Sequence, residues 1–172
     1  MNWLFLQKLD LFARRLTPFA LTVVLVIIGL IPIPVPDFAR VAPALALIAV
    51  YFWTIHRPEL LPVYAVFLIG LLQDALSGTP IGVNVLVLLT VHGVVLSQRR
   101  FFIGKSFMVT WLGFSLVAGA AFVEMWILIS IFNLTAVSAL PVAAQYPITL
   151  GVFPIVAWIF FRWHQAYLAH EA

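Results

Sequence analysis

The hydrophobic pattern of this chain consists of long apolar runs separated by short clusters of charged residues, proline and glycine. These runs are much longer than the ten-residue alternation of a barrel strand, so they predict membrane-spanning α-helices. Several begin with proline, which is common at the first helical position, as at Thr17-Pro18 and Thr79-Pro80. We predict six spans, at about residues 18–36, 41–56, 58–76, 80–97, 106–132 and 147–162.

Composition places the whole chain in the membrane class. Hydrophobic residues make up 65% of the 172 positions and charged residues only 9%, whereas a soluble domain has about 25% charged residues. We therefore predict an all-α integral membrane protein that forms one domain over residues 1–172. The chain has no cysteine, which excludes disulfides and thiolate metal sites. The net charge of +3 is better explained by membrane topology than by nucleic-acid binding.

The first 15 residues alternate polar and apolar side chains at near-helical spacing. This pattern predicts an amphipathic helix that lies in the membrane interface. A signal peptide with a cleavage site at Ala42-Pro43-Ala44 is the alternative, and it is disfavoured because the rest of the chain is itself membrane-embedded.

The basic residues are distributed unevenly between the predicted loops. Six spans place both termini on one side, and eight of the nine Lys and Arg residues then fall on that side, with only Arg40 on the other. The positive-inside rule therefore places both termini in the cytoplasm. The eight residues are Lys8, Arg14, Arg15, Arg57, Arg99, Arg100, Lys105 and Arg162.

Asp74 lies near the outer end of the third predicted span. A carboxylate in the last turn of a helix opposes the helix dipole, so the stability of that helix does not explain it. Two interpretations are open: the carboxylate hydrogen-bonds the turn at residues 77–79, or it binds a partner or ligand.

Glu124 is the only acidic residue well inside a predicted span. A charge at the bilayer centre costs roughly 3 kcal/mol, so we expect Glu124 to face the bundle interior or to be protonated. Asn84 lies at a similar depth on the fourth span. We predict that Asp74, Asn84 and Glu124 form one polar region near the outer face; three separately satisfied groups are the alternative.

A turn and three glycines complete the candidate partner-binding or structural residues. Arg57 and Pro58 are predicted at the cytoplasmic surface, where Arg57 acts most simply as a snorkelling anchor. Gly70 lies on the same helix face as Asp74 and permits another helix to pack closely there. Gly78 and Gly82 are predicted to form the reversal into the fourth span.

No sequence motif indicates catalysis. The chain shows no hydrolase triad, no phosphate-binding glycine loop and no paired metal ligands. We therefore predict no enzyme, no cofactor and no metal. We expect His92 to be a structural hydrogen-bonding group. Ser115 and Gly119 predict a close helix contact, either within the domain or between two copies.

The central stretch resembles the MreD family of rod shape-determining proteins. The matching residues are Arg57-Pro58, Gly70-Leu71-Leu72, Asp74, Gly78, Gly82 and Asn84. The resemblance implies a non-catalytic, multi-pass subunit of the cell-elongation machinery in the bacterial inner membrane. It implies MreC as partner, with the glycosyltransferase RodA and its transpeptidase reached through MreC, and the MreB filament on the cytoplasmic side. Membrane lipids and a second copy of the chain are further candidate partners, and nucleic acid is not expected.

The same family fold is similar to the substrate-binding membrane subunits of energy-coupling-factor vitamin transporters. That similarity gives an alternative function, a small-molecule-binding transporter subunit with a pocket near the outer face. The small number of polar residues favours the scaffold, because such ligands need several directed hydrogen bonds. A membrane anchor without any site is the third interpretation.

Overall fold

A computed structural model describes residues 18–29 and 42–167, and all the regular secondary structure in these residues is helical. The predicted interfacial helix at residues 1–15 lies outside the described residues. The helices are α1 (Pro18–Gly29), α2 (Leu45–His56), α3 (Val63–Ser77), α4 (Val83–Phe102), α5 (Phe107–Phe132) and α6 (Leu140–Tyr167), with a 3-10 turn at Pro58–Leu60.

Three of the helices are long and apolar enough to cross a membrane: α4, α5 and the part of α6 from Leu140 to Trp163. The other three are shorter apolar helices, of which α2 has 12 residues and α3 has 15. At 1.5 Å per residue these two are about 18 and 22 Å long, less than the roughly 30 Å of a bilayer core. The all-α prediction is confirmed, and length and composition support three of the six predicted spans.

Helix α2 forms the centre of the bundle. Every residue from Leu45 to Ile55 is buried, as expected for a helix that is apolar on all sides. It packs against α4 and α6. Its Tyr51 ring makes edge contacts with three phenylalanine rings, and its hydroxyl donates to the Thr110 carbonyl oxygen of α5 at 2.9 Å.

Helix α4 packs against α2, α3 and α5. Helix α6 packs against α5 and α2. The outer surfaces of these helices carry large apolar side chains. Leu116 on α5 is 77% exposed and Leu140 on α6 is 76% exposed. Such side chains are suited to contact with lipid rather than water.

Three helix starts differ from those predicted, and each had been predicted at a proline. The third span was expected to begin at Pro58, but Pro58 opens a 3-10 turn and α3 begins at Val63. The fourth begins at Val83 rather than Pro80 and continues to Phe102. The sixth begins at Leu140 rather than near residue 147, and Pro147 and Pro154 lie in its interior. Proline tolerates a helix start but does not require one.

The described basic residues gather at one end of the bundle. The Arg99 side chain at the end of α4 donates to the Ile55 carbonyl oxygen near the end of α2 at 2.8 Å. The His56 ring at the end of α2 lies 5.0 Å from the Phe161 ring of α6. This end is called the basic end below, and its cytoplasmic orientation stays a prediction of the positive-inside rule.

Candidate functional site

The carboxylate of Asp74 is the centre of the polar network at the other end of the bundle. Asp74 is only 1% exposed. Its Oδ1 atom accepts hydrogen bonds from the Thr79 hydroxyl at 2.9 Å, the Asn84 backbone amide at 3.0 Å and the Asn84 side-chain amide at 2.8 Å. Its Oδ2 atom accepts from the Gly82 amide at 2.8 Å and, at a longer 3.4 Å, from Val85. These donors use the roughly four lone-pair positions of a carboxylate.

This arrangement explains why an acid is placed at the end of α3. The amides of Gly82, Asn84 and Val85 belong to the first turn of α4, where backbone N–H groups have no intrahelical partner. Asp74 therefore caps the N-terminus of the next helix, where a negative charge is favourable. The unfavourable position at the end of its own helix is offset by this interaction with α4.

Three glycines make the network geometrically possible. Gly70 lies where α3 crosses α4, and a Cβ atom on it would be 2.6 Å from the Cα atom of Val85. Gly78 ends α3 with φ +69°, and Gly82 precedes α4 with φ +107°. Both values lie in the left-handed region that favours glycine. The first glycine brings the helices together, and the other two allow the chain to reverse over the carboxylate.

Glu124 does not join this network. Its Oε1 atom accepts a hydrogen bond from the Thr90 hydroxyl at 2.9 Å. Thr90 lies six residues beyond Asn84 on α4, which is about 9 Å further along the axis and about 120° around the helix. The predicted cluster of three is therefore not formed: Asp74 and Asn84 bond directly, and Glu124 lies on another face.

The partly exposed Glu124 lines an open groove of about 300 Å³ between α4 and α5, called the α4–α5 groove below. Two rows of residues at four-residue spacing form its walls. Glu124 on α5 and Thr90 on α4 are polar, and the rest of the lining is largely apolar. The row on α4 is Thr90, Val94 and Gln98, and the row on α5 is Leu116, Ala120 and Glu124.

The remaining predicted residues have structural contacts. The Arg57 amide closes the last turn of α2 on the Trp53 carbonyl oxygen at 2.8 Å, and its guanidinium lies 3.7 Å from the Glu59 carboxylate. Pro58 begins the 3-10 turn. His92 is buried, and its Nδ1 atom lies 2.9 Å from the Thr54 hydroxyl.

The predicted small-residue contact on α5 is made within the chain. The Tyr146 hydroxyl of α6 donates to the Ser115 carbonyl oxygen at 3.1 Å, and its ring lies 3.7 Å from where a Cβ atom on Gly119 would stand. This geometry matches the intrachain interpretation of the Ser115–Gly119 pair.

The space beside the polar network is too small for an organic ligand. The cavity that Asn84 lines measures about 10 Å³, close to the lower limit for a single water molecule. Among the described residues, no group of three or more acids and histidines is placed to hold a metal ion. The network can cap a helix and fix a turn.

Sequence reasoning missed the residues that complete these contacts. The bond from Thr79 to Asp74 agrees with the interpretation that Asp74 bonds the turn at residues 77–79, but the bonds from the Gly82 and Val85 amides were not predicted. The hydrogen bond from Thr90 to Glu124 was not predicted, and neither was the one from Arg99 to the Ile55 carbonyl oxygen. Nothing in their spacing pointed to these pairings, because each joins residues of different helices.

Comparison with known proteins places this sequence in a family. The model of the family described as rod shape-determining protein MreD matches residues 12–168. The "Uncharacterized protein RP566" of Rickettsia prowazekii is 25% identical over 122 residues, which cover 70% of this chain and 69% of that protein. No solved structure matches the chain with significance. Since the family match covers nearly the whole chain, the protein belongs to the MreD family of rod shape-determining membrane proteins.

Proposed function

We propose that this chain is a non-catalytic inner-membrane subunit of the cell-elongation complex, and that it binds MreC through the α4–α5 groove. Through MreC it acts on RodA and its transpeptidase partner and so helps to control peptidoglycan synthesis, with the MreB filament on the cytoplasmic side. The family match supports the assignment to rod-shape determination. The contact with MreC is inferred from the groove.

The observation that carries the proposed contact is the position of Glu124. This acid is partly exposed in a groove with a largely apolar lining, and its Oε1 accepts a hydrogen bond from the Thr90 hydroxyl. Leaving a carboxylate against lipid is costly, by roughly 3 kcal/mol at the bilayer centre. A neighbouring transmembrane helix that brings a hydrogen-bond donor to Glu124 would remove much of that cost.

The shape of the groove fits one helix. Its two rows each extend over nine residues, or about 12 Å. Ala120, in the middle of the α5 row, is exposed and small enough to let another backbone approach closely. The family resemblance also implies that MreC crosses the membrane with a single helix, which is an occupant of this size.

The Asp74 network supports the same proposal indirectly. Because the protein's own donors occupy the carboxylate, Asp74, Asn84 and the three glycines fix the α3–α4 turn rather than contact a partner. That turn presents Ile81, which is 73% exposed. At the opposite end of the bundle, Arg57 and Pro58 fix the turn that follows α2.

The vitamin-binding alternative has less structural support. Small-molecule sites usually enclose about 300–1,000 Å³, whereas the cavity beside Asn84 measures about 10 Å³. The α4–α5 groove is large enough but opens along its length and has few polar groups.

The experiment is to fill the groove and measure co-purification with MreC. Ala120→Trp places a large ring in the groove, while Ile155→Trp places the same ring at a position on α6 that is 61% exposed and outside the groove. We expect the first variant to reduce MreC recovered per chain at least fivefold and to impair rod shape, and the second to retain both.

Three results would contradict the proposal. If Ala120→Trp folds normally and recovers as much MreC as the wild type, MreC binds elsewhere. If it instead abolishes cross-linking between two copies of the chain while MreC is retained, the groove holds a second copy. A vitamin detected by mass spectrometry in the purified wild type would favour the transporter function.

A further inference from the structure

A cavity of about 320 Å³ at the basic end has a composition that the proposed function does not explain. It lies where α2 and α4 end and α5 begins. Two cations, Arg99 and Lys105, line it together with His56, and none of its lining residues is acidic. Its walls are aromatic, formed by Phe52, Phe102, Phe107, Phe153 and Phe161.

Arg99 is held at this cavity with part of its binding capacity unused. Its Nε atom donates to the Ile55 carbonyl oxygen at 2.8 Å, which fixes the guanidinium on the last turn of α2. Its two terminal amino groups have no acceptor among the described residues. A guanidinium fork of this kind is well matched to the oxygens of a phosphate group.

Lys105 adds a second positive charge from the turn between α4 and α5. Its ammonium lies 5.9 Å from the centre of the Phe101 ring, and the residue before it, Gly104, has φ +76°. Helix α5 begins two residues later at Phe107, which lines the same cavity. The positive end of the α5 dipole therefore reinforces the two side-chain charges.

The aromatic walls distinguish between the possible anions. Phe107 is 47% exposed and Phe161 is 38% exposed, so both present apolar surface beside the charged part of the cavity. A free phosphate would leave the exposed surface of these rings uncovered, whereas the acyl chains of a lipid would cover it. We propose that this cavity binds the phosphate headgroup of an anionic membrane lipid, with its chains against Phe107 and Phe161.

The orientation of the bundle agrees with this ligand. The positive-inside prediction places the basic end at the cytoplasmic leaflet, which carries anionic lipids and attracts basic residues. The lipid site is separate from the proposed MreC site, because Phe102 is the one residue that lines both the cavity and the α4–α5 groove.

The test uses the purified full chain in a non-ionic detergent. Dioctanoyl phosphatidylglycerol, dioctanoyl phosphatidylcholine and inorganic phosphate are added separately, and thermal unfolding and native mass spectrometry report binding. Lys105→Gln removes a charge from the cavity, and Arg100→Gln removes the same charge from an exposed neighbour outside it. Arg99→Gln tests the fork, although it also removes a contact to α2.

We expect phosphatidylglycerol alone to raise the melting temperature of the wild type and to be retained in native mass spectra. Lys105→Gln should weaken its apparent affinity about fivefold, as expected for one charge near an anionic surface, and Arg100→Gln less than twofold.

Three results would overturn the assignment. Equal weakening by Arg100→Gln would show general charge attraction. Equal protection by inorganic phosphate would show a free-anion site, and equal protection by phosphatidylcholine a purely apolar one. Because Lys105 lies on an exposed turn, its substitution tests the site even if Arg99→Gln fails to fold.

Discussion

Among single residues, Asp74 has the largest predicted effect on stability. Its carboxylate accepts four hydrogen bonds of 3.0 Å or less from the α3–α4 turn and the start of α4. Asp74→Ala would leave buried donors unpaired, so we expect a loss of about 3–5 kcal/mol in the free energy of unfolding. Asp74→Asn keeps one acceptor oxygen and should lose less. The stability of both variants is measured by unfolding them in detergent and monitoring the loss of native fluorescence.

The same variants separate a capping role from a contact role. If Asp74 caps α4, MreC recovered per folded chain stays constant in Asp74→Asn, and only the folded fraction falls. A variant of normal stability that no longer recovers MreC would show direct contact instead. Glu59→Gln is the control, since Glu59 is 57% exposed at its side chain and lies at the basic end.

At the scale of helices, the α3–α4 crossing depends on Gly70. A Cβ atom there would be 2.6 Å from the backbone of Val85, so Gly70→Ala must push the two helices apart. We expect a loss of about 2–3 kcal/mol in the free energy of unfolding. Gly93→Ala, within α4 and with no neighbouring atom within 4 Å, is the matched control.

The control should move in the opposite direction. Alanine is a better helix former than glycine by about 1 kcal/mol, so Gly93→Ala should leave stability unchanged or raise it. Thermal unfolding of the two variants in the same detergent gives the comparison. Equal destabilisation by both would show that glycine is needed for flexibility in general, and not for the helix crossing.

These elements also show what the sequence could predict. Long apolar runs gave the all-α class and the approximate positions of α4 and α5, because length and composition are local properties. Hydrogen bonding of Asp74 to the turn at residues 77–79 was one of two interpretations, and Thr79 makes such a bond. The capping of α4 through the amides of Gly82 and Val85 could not be predicted, since it depends on how the turn at residues 78–82 folds back. The face of Glu124 was equally inaccessible, because α5 is apolar on every side and its sequence shows no inward-facing periodicity.

For the whole molecule, the two ends of the bundle have different chemistry. The end formed by the α3–α4 turn is closed by hydrogen bonds around one carboxylate, whereas the basic end keeps an open cavity with positive charge. Because the two surfaces of a membrane differ in charge, the two ends of the bundle interact with them differently. The orientation of the bundle is therefore part of every functional proposal, and it can be tested directly.

The absence of cysteine from the chain makes that test simple. Ser106→Cys marks the basic end and Ser138→Cys the opposite end; both serines are exposed and the substitution is nearly isosteric. The positive-inside rule predicts that a membrane-impermeant maleimide labels Cys at position 138 in intact spheroplasts, and at position 106 only after permeabilisation. The reverse pattern would place the basic end outside, away from the cytoplasmic leaflet, and would remove the reason for anionic lipid to collect there. Labelling of both sites without permeabilisation would show two orientations, which one fixed MreC contact does not allow.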